Sequence, residues 1–226
     1  MASQDSILQI LKSYWGFSQF RPKQEDIIQS VLDGNDTLAL LPTGGGKSIC
    51  FQVPSLAMEG LCLVISPLIA LMQDQVQNLK SRGIKALMIH SAMSKREIDI
   101  TLDNAAYGDY KFLYLSPERL ETELFQARLK KMKINSVAID EAHCISQWGY
   151  DFRPSYLNIA KLKEELPDIP FVALTATATP EVVVDIQEKL LFKASNVIQK
   201  SFLRKNLSYV VRKTENQVAT MLKVID

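Results

Sequence analysis

The run Leu41-Pro42-Thr43-Gly44-Gly45-Gly46-Lys47-Ser48 joins consecutive glycines to a lysine and a hydroxyl. Glycines let a backbone turn so that successive N–H groups converge on one anion, and a helix starting behind them adds its positive end. Thr43, Gly44, Gly45 and Gly46 supply that cup. Lys47 has the reach for the outer phosphates of a triphosphate, and the Ser48 hydroxyl can ligate the Mg²⁺ that accompanies them. The run departs from the pattern G-x-x-x-x-G-K-[ST] at Leu41, where that pattern has glycine. It keeps every residue that would touch phosphate. An apolar stretch, residues 37–40, precedes it, and a helix-compatible stretch, residues 49–57, follows. That order predicts a nucleotide site.

A second group of chemical residues ends the run Val137-Ala138-Ile139-Asp140-Glu141-Ala142-His143. An apolar strand finishing in adjacent carboxylates delivers them beyond its carboxyl end, where ligands of parallel sheets sit. Asp140 suits the task of holding Mg²⁺, often through water. Glu141 can orient and deprotonate the water that attacks the γ-phosphorus. His143 stands beside Cys144, but nothing near them in sequence completes a coordination set, so zinc is not expected. His143 is read instead as a hydrogen-bonding link between the triphosphate site and a neighbouring segment.

The elements that must hold these residues follow from periodicity. Apolar residues recur at helical spacing over 6–14, and Pro22 opens a second amphipathic segment that Gly34 stops. Short apolar runs at 61–66, 86–89, 112–116, 137–140 and 171–175 read as strands buried on both faces. Helices are expected between them at 68–80, 94–104, 118–131, 155–165 and 180–190. Ser94 with Glu97 forms a capping box, and Thr179 before Pro180 pairs an N-cap with a first-turn proline. The alternation predicts an α/β fold with one mostly parallel central sheet and helices on both faces. No internal repeat or low-complexity linker interrupts it.

Composition narrows the class. An apolar fraction of 47% with 23% charged residues is that of a globular chain, and the net charge of +1 carries no electrostatic footprint of nucleic-acid binding. Such binding must be argued from local residues. Cys50, Cys62 and Cys144 have no C-x-x-C spacing, which argues against a disulfide framework or structural zinc and fits a reducing cytoplasm. No window approaches a membrane span, and no secretory signal opens the chain. Lys200, Arg204, Lys205, Arg212 and Lys213 make a basic stretch read as a solvated connector, followed by an amphipathic segment at 215–225.

The string Asp-Glu-Ala-His at 140–143 is accompanied by Thr175-Ala176-Thr177-Ala178-Thr179, by Phe20-Arg21-Pro22 with Gln24, and by Cys144-Ile145-Ser146-Gln147-Trp148-Gly149-Tyr150-Asp151-Phe152-Arg153-Pro154. Together they resemble the RecQ family of superfamily 2 DNA helicases, over nearly the whole chain. The resemblance implies a RecA-like P-loop NTPase domain that uses ATP and Mg²⁺. Phe17 and Arg21 would sandwich adenine while Gln24 reads its edge, an apt arrangement for a purine. Gln147, Trp148, Phe152 and Arg153 would lie on an aromatic-rich loop that senses single-stranded DNA, since aromatics interleaved with arginine stack bases and neutralise phosphate. Thr175 and Thr177 match the motif that links hydrolysis to strand movement. Tyr150 stands where the family usually has His, which leaves that position without an assigned role. Ser66-Pro67-Leu68 and Ser116-Pro117-Glu118-Arg119 read two ways, as DNA-backbone contacts and as N-caps with a first-turn proline.

The family also implies a division of the chain. Residues 1–206 would be the first RecA-like motor domain, with residues 1–34 carrying adenine recognition, and 207–226 the start of a linker or second motor domain. In such helicases the second domain, in cis, supplies arginines worth about 10³–10⁵ in rate in comparable NTPases. These 226 residues are therefore expected to bind ATP·Mg²⁺ yet hydrolyse it slowly and unwind nothing alone. The implied whole translocates 3′→5′ on single-stranded DNA and opens partly duplex DNA in repair and recombination. It would act in the cytoplasm, or in a eukaryotic nucleus. Two alternatives stand beside it: an RNA-directed superfamily 2 helicase domain, and a nucleotide-dependent binding module without motor activity.

Overall fold

The computed structural model describes residues 4–149, 151–201, 211, 213, 214, 216, 218, 221 and 222. Tyr150, Arg204, Lys205, Arg212 and most of the 215–225 segment lie outside the described residues. The elements in chain order are α1 (Gln4–Trp15), α2 (Gln24–Leu32), β1 (Thr37–Leu40), α3 (Ile49–Ala57), β2 (Leu61–Ile65), α4 (Ile69–Ser81), β3 (Ala86–Ile89), α5 (Lys95–Tyr107), β4 (Phe112–Leu115), α6 (Glu123–Leu129), β5 (Ile134–Ile139), α7 (Asn158–Glu165), β6 (Phe171–Thr175), α8 (Pro180–Lys189) and β7 (Val197–Gln199). Short 3₁₀ turns occupy Pro117–Arg119, Ala142–Ile145 and Pro154–Leu157.

Among the described residues seven strands pair in the order β3-β4-β2-β5-β6-β1-β7, and each of these pairs is parallel. Side chains of successive strand residues point to opposite faces, so each central strand feeds two cores. Leu63, Ile65, Leu113, Val137, Ile139 and Ala173 pack with residues of α5, α6, α7 and α8. Cys62, Val64, Tyr114, Ala138, Val172 and Leu174 pack with α2, α3 and α4. Helix α1 lies outside this second layer, where Ile7 and Leu11 bury against Ile28, Ile49 and Val53. Among the described residues no helix is long and apolar enough to cross a membrane.

The caps at Ser94 and Thr179 form as expected, with Glu97 Oε2 accepting from Ser94 N at 2.7 Å. Four local expectations change. The helix expected over 118–131 splits into a 3₁₀ turn and α6, because Thr122 is extended and its hydroxyl turns back to Arg119 O at 2.8 Å. The segment expected over 155–165 likewise opens as a 3₁₀ turn before α7. Helix α2 begins at Gln24 rather than at Pro22, after Lys23 in a left-handed conformation (φ 75°). Strand β5 starts earlier, at Ile134, because its polar residues Asn135 and Ser136 are buried and satisfied by Ser55 of α3. Strand β7 is an addition, a three-residue edge strand too short for an apolar pattern to mark.

At the amino-terminal edge of the sheet a buried ion pair ties three elements together. Lys163 Nζ of α7 lies 2.7 Å from Asp36 Oδ1, with both side chains about 5% exposed or less. Asp36 also accepts from Phe171 N at 2.9 Å, and Lys163 donates to Ile169 O at 3.1 Å over the Phe171 ring. Removing one partner would leave a buried charge uncompensated. Lys163→Met is expected to lower unfolding stability by about 3–5 kcal/mol, read as a reduced urea midpoint at unchanged slope.

Candidate nucleotide site

Every strand points the same way, so the loops that follow β1, β6 and β5 emerge together at one edge. The glycine loop leaves β1, the acids leave β5, and β6 runs between them, with Leu40 in register with Thr175 and Ile139 with Ala173. Leu41 N donates to Thr175 O at 3.2 Å, and Asp140 N to Ile65 O at 2.9 Å. Residues far apart in the chain thereby share one rim.

The loop has the backbone its glycines allow. Gly44 and Gly46 have φ of 75° and 78°, a region that side-chain-bearing residues rarely adopt. A Cβ on Gly46 would come within 2.4 Å of Gln24 Nε2. That closeness reflects a grip: Gln24 Nε2 donates to Gly46 O at 2.9 Å, and its Oε1 accepts from Arg21 N at 2.8 Å. Arg21 Nη1 in turn donates to Gly44 O. Phe17, Arg21, Gln24, Gly46 and Ile49 all line one cleft of about 420 Å³. Phe17 is exposed, and Ser48 ends the loop at the start of α3. In this arrangement the Gln24 amide is engaged with the loop.

Asp140 is 8% exposed, and its carboxyl is pushed up to about 6 by burial and then by the neighbouring charge of Glu141. The Glu141 N–H, which donates to Asp140 Oδ1 at 3.1 Å, and the positive charge of Lys47 pull the other way. A buried acid beside a second acid is the donor set a hard divalent cation fits, since the cation would favour both ionised forms. Glu141 itself sits at φ 48°, ψ 47°, a left-handed conformation unusual for glutamate.

His143 connects this rim to the next loop. Its Nδ1 lies 2.9 Å from Thr175 Oγ1 and 3.3 Å from Glu141 Oε2. Thr175 gives its own hydroxyl hydrogen to Thr177 O at 3.1 Å, so toward His143 it accepts. A hydrogen on Nδ1 would meet both Thr175 Oγ1 and Glu141 Oε2 and leave a lone pair on Nε2, which faces Cys144 Sγ at 4.0 Å. His143 thereby contacts both Glu141 and Thr175 through one ring nitrogen. The third donor that sequence order did not supply is Asp151, folded back with Oδ2 3.7 Å from the same sulfur.

The aromatic segment lies alongside. Gln147 and Thr177 are exposed, and Trp148 is 77% exposed at the mouth of a pocket of about 230 Å³ with His143, Thr177 and Val182. Phe152 is half-buried beneath Lys189 Nζ, 5.9 Å from its ring centroid. Arg153 holds Asp151 through Nε and Nη2 at 3.2 and 3.0 Å and reaches Pro67 O through Nη1 at 3.3 Å. Sequence reasoning passed over Tyr156, whose buried hydroxyl donates to Asp140 O at 2.9 Å and fixes the acid's backbone. Nothing in its spacing distinguishes it from a core residue. Of the two serine motifs, neither side chain caps a helix: α4 is capped at Leu68, Ser116 makes no cap bond, and the buried Ser66 hydroxyl has no partner.

Comparison with known proteins supplies the family. The model of the DEAD/DEAH box helicase family matches residues 21–186. The chain is 49% identical over 210 residues to the ATP-dependent DNA helicase RecQ of Bacillus subtilis (strain 168), covering 92% of this chain and 36% of that protein. It is 44% identical over 204 residues to the RecQ of Haemophilus influenzae, covering 90% and 33%. It spans about a third of the length of these relatives. Among solved structures, the DUF1998 helicase MrfA bound to DNA superposes with a TM-score of 0.69 at 18% identity, over 86% of this chain and 29% of that one, a likeness of fold. The matched span takes in both the glycine loop and the acid pair, and the chain belongs to the DEAD/DEAH box helicases, as a motor domain of the RecQ family.

Proposed function

We propose that this chain is the first motor domain of an ATP-driven DNA helicase, coupling ATP hydrolysis to 3′→5′ movement along single-stranded DNA and to unwinding. The observation that carries the reading is the His143–Thr175 hydrogen bond. It joins the acids after β5 to the segment that leads to Thr177 and the Trp148 pocket. A change at the γ-phosphate then has a short route to a nucleic-acid surface.

The residues divide the work. Thr43 to Gly46 offer backbone N–H groups to the phosphates, Lys47 neutralises the outer ones, and Ser48 and Asp140 hold the Mg²⁺, which supplies charge neutralisation when bound. Glu141 orients the attacking water and takes its proton. Phe17 and Arg21 enclose the adenine, and Gln24 meets its edge once the purine draws its amide from the loop. Gln147, Trp148, Phe152 and Arg153 meet single-stranded DNA, with Thr175 and Thr177 relaying the contact. Arginines of a second motor domain in cis would complete the site, so residues 1–226 alone turn ATP over slowly. Residues 1–206 form the first motor domain and 207–226 lead into the next. The working compartment is the one that holds the chromosome, bacterial cytoplasm or eukaryotic nucleus.

Three outcomes test the reading. Lys47→Ala abolishes ATP binding by calorimetry, whereas Glu141→Gln leaves binding intact and stops turnover. Loss of both functions in Glu141→Gln would return that residue to a structural role. In a chain with both motor domains, ATPase stimulated by single-stranded DNA and not by RNA supports the DNA assignment; the reverse preference overturns it.

Asp140 gives the pH-dependent test. Its carboxyl rises from 3.8 in the free residue to about 6 in the fold. A raised acid favours the protonated folded form, so this contribution is full below about pH 4 and lost as pH passes 6. Asp140→Asn is expected to stabilise the nucleotide-free chain by roughly 1–3 kcal/mol at pH 7.5, with the gain vanishing near pH 4. The same variant should lose the Mg²⁺-dependent rise in Tm.

A further inference from the structure

His143, Cys144 and Asp151 each bring one ligating atom to a common point, and the three atoms lie within 4.8 Å of one another. Cys144 Sγ is 4.0 Å from His143 Nε2 and 3.7 Å from Asp151 Oδ2. Tetrahedral zinc holds sulfur at about 2.3 Å and nitrogen or oxygen at about 2.0–2.2 Å, which sets sulfur about 3.5 Å from its co-ligands. The distances from sulfur to Nε2 and to Oδ2 would close by about 0.5 and 0.2 Å, and the separation of His143 from Asp151, within 4.8 Å, by up to about 1.5 Å. We propose that His143, Cys144 and Asp151 form a site for a thiophilic divalent cation of the zinc type, with its fourth position open to water.

The hydrogen-bond network prepares the imidazole for this role. With its hydrogen on Nδ1, directed at Thr175 Oγ1 and Glu141 Oε2, the ring presents the Nε2 lone pair to the point where the cation would sit. Metal-bound histidines are oriented in this way, by an acceptor on the far nitrogen. A thiolate and a carboxylate together balance two positive charges. The set is also chemically distinct from the acids at 140 and 141, because sulfur and imidazole favour zinc over Mg²⁺.

Two contacts must yield. Arg153 now holds Asp151 Oδ2 and would share or release it, keeping Pro67 O as its other partner. The thiol of Cys144 is pushed up to about 12 by burial and by Asp151, so the cation takes the place of its proton. Once bound, it ties residues 143 and 144 to residue 151 and so clamps the aromatic segment to the acidic strand end.

Cobalt(II) reports such a site directly. Co²⁺ titrated into the reduced, untagged chain in excess Mg²⁺ is expected to give a stoichiometric thiolate-to-metal charge-transfer band, which added Zn²⁺ erases. Cys144→Ser should remove the band, and Asp151→Asn, whose side chain is 54% exposed, should weaken Co²⁺ affinity at least about tenfold. Circular dichroism confirms that each variant is folded, and if Cys144→Ser fails to fold, Asp151→Asn decides alone. No band in the unaltered chain, a band that survives Cys144→Ser, or undiminished affinity in Asp151→Asn overturns the proposal. Cys50 and Cys62, the other thiols, are buried elsewhere and account for a band that survives Cys144→Ser.

Discussion

Parallel pairing governs this molecule. A parallel strand pair needs a crossover between its strands, and each crossover here packs a helix against one face of the sheet or the other. All carboxyl ends consequently meet at one rim. The order β5-β6-β1 then sets the glycine loop and the acid pair on either side of a single strand. It also makes Thr175, last residue of the middle strand, the natural point of contact for His143. The chemistry depends less on any one side chain than on the register that brings these ends level.

Electrostatics at the rim are left unbalanced on purpose-sized scales. Asp140 and Glu141 adjoin each other, Asp140 is buried, and Lys47 is the cation that acts on it. The backbone concentrates further cost there, since Glu141 holds a left-handed conformation. The opposite edge is built differently. Asp36 and Lys163 are equally buried but fully matched, with backbone donors and acceptors completing both. One end of the sheet is satisfied and holds the fold, while the other carries unspent charge suited to an incoming cation and nucleotide.

Much of this was legible in the chain, for identifiable reasons. Strands buried on both faces leave unbroken apolar runs, so β1, β2, β4 and β6 announced themselves within a residue, as did the apolar but half-covered edge strand β3. The glycine loop after β1, with positive φ at Gly44 and Gly46, and the acids after β5 stand where the order of residues put them. Polar residues buried by pairing hid the start of β5, because Ser136 and Asn135 are satisfied by Ser55, a residue distant in sequence. Folding back of the chain hid Asp151 as a neighbour of Cys144, and Tyr156 as a support for Asp140. Contacts of that kind belong to tertiary structure, and no local pattern encodes them.

On the proposed function, the hold of Gln24 on Gly46 O, with its carbonyl spent on Arg21 N, would bear on how a base is chosen. A purine meeting this amide would displace bonds that already exist, so the correct base would exchange one set for another and gain little net affinity. The wrong base, unable to return what it displaces, would strand a nearly buried donor and acceptor and incur their full desolvation cost. Discrimination at such a position would come from penalising the misfit, and tightness from the phosphates.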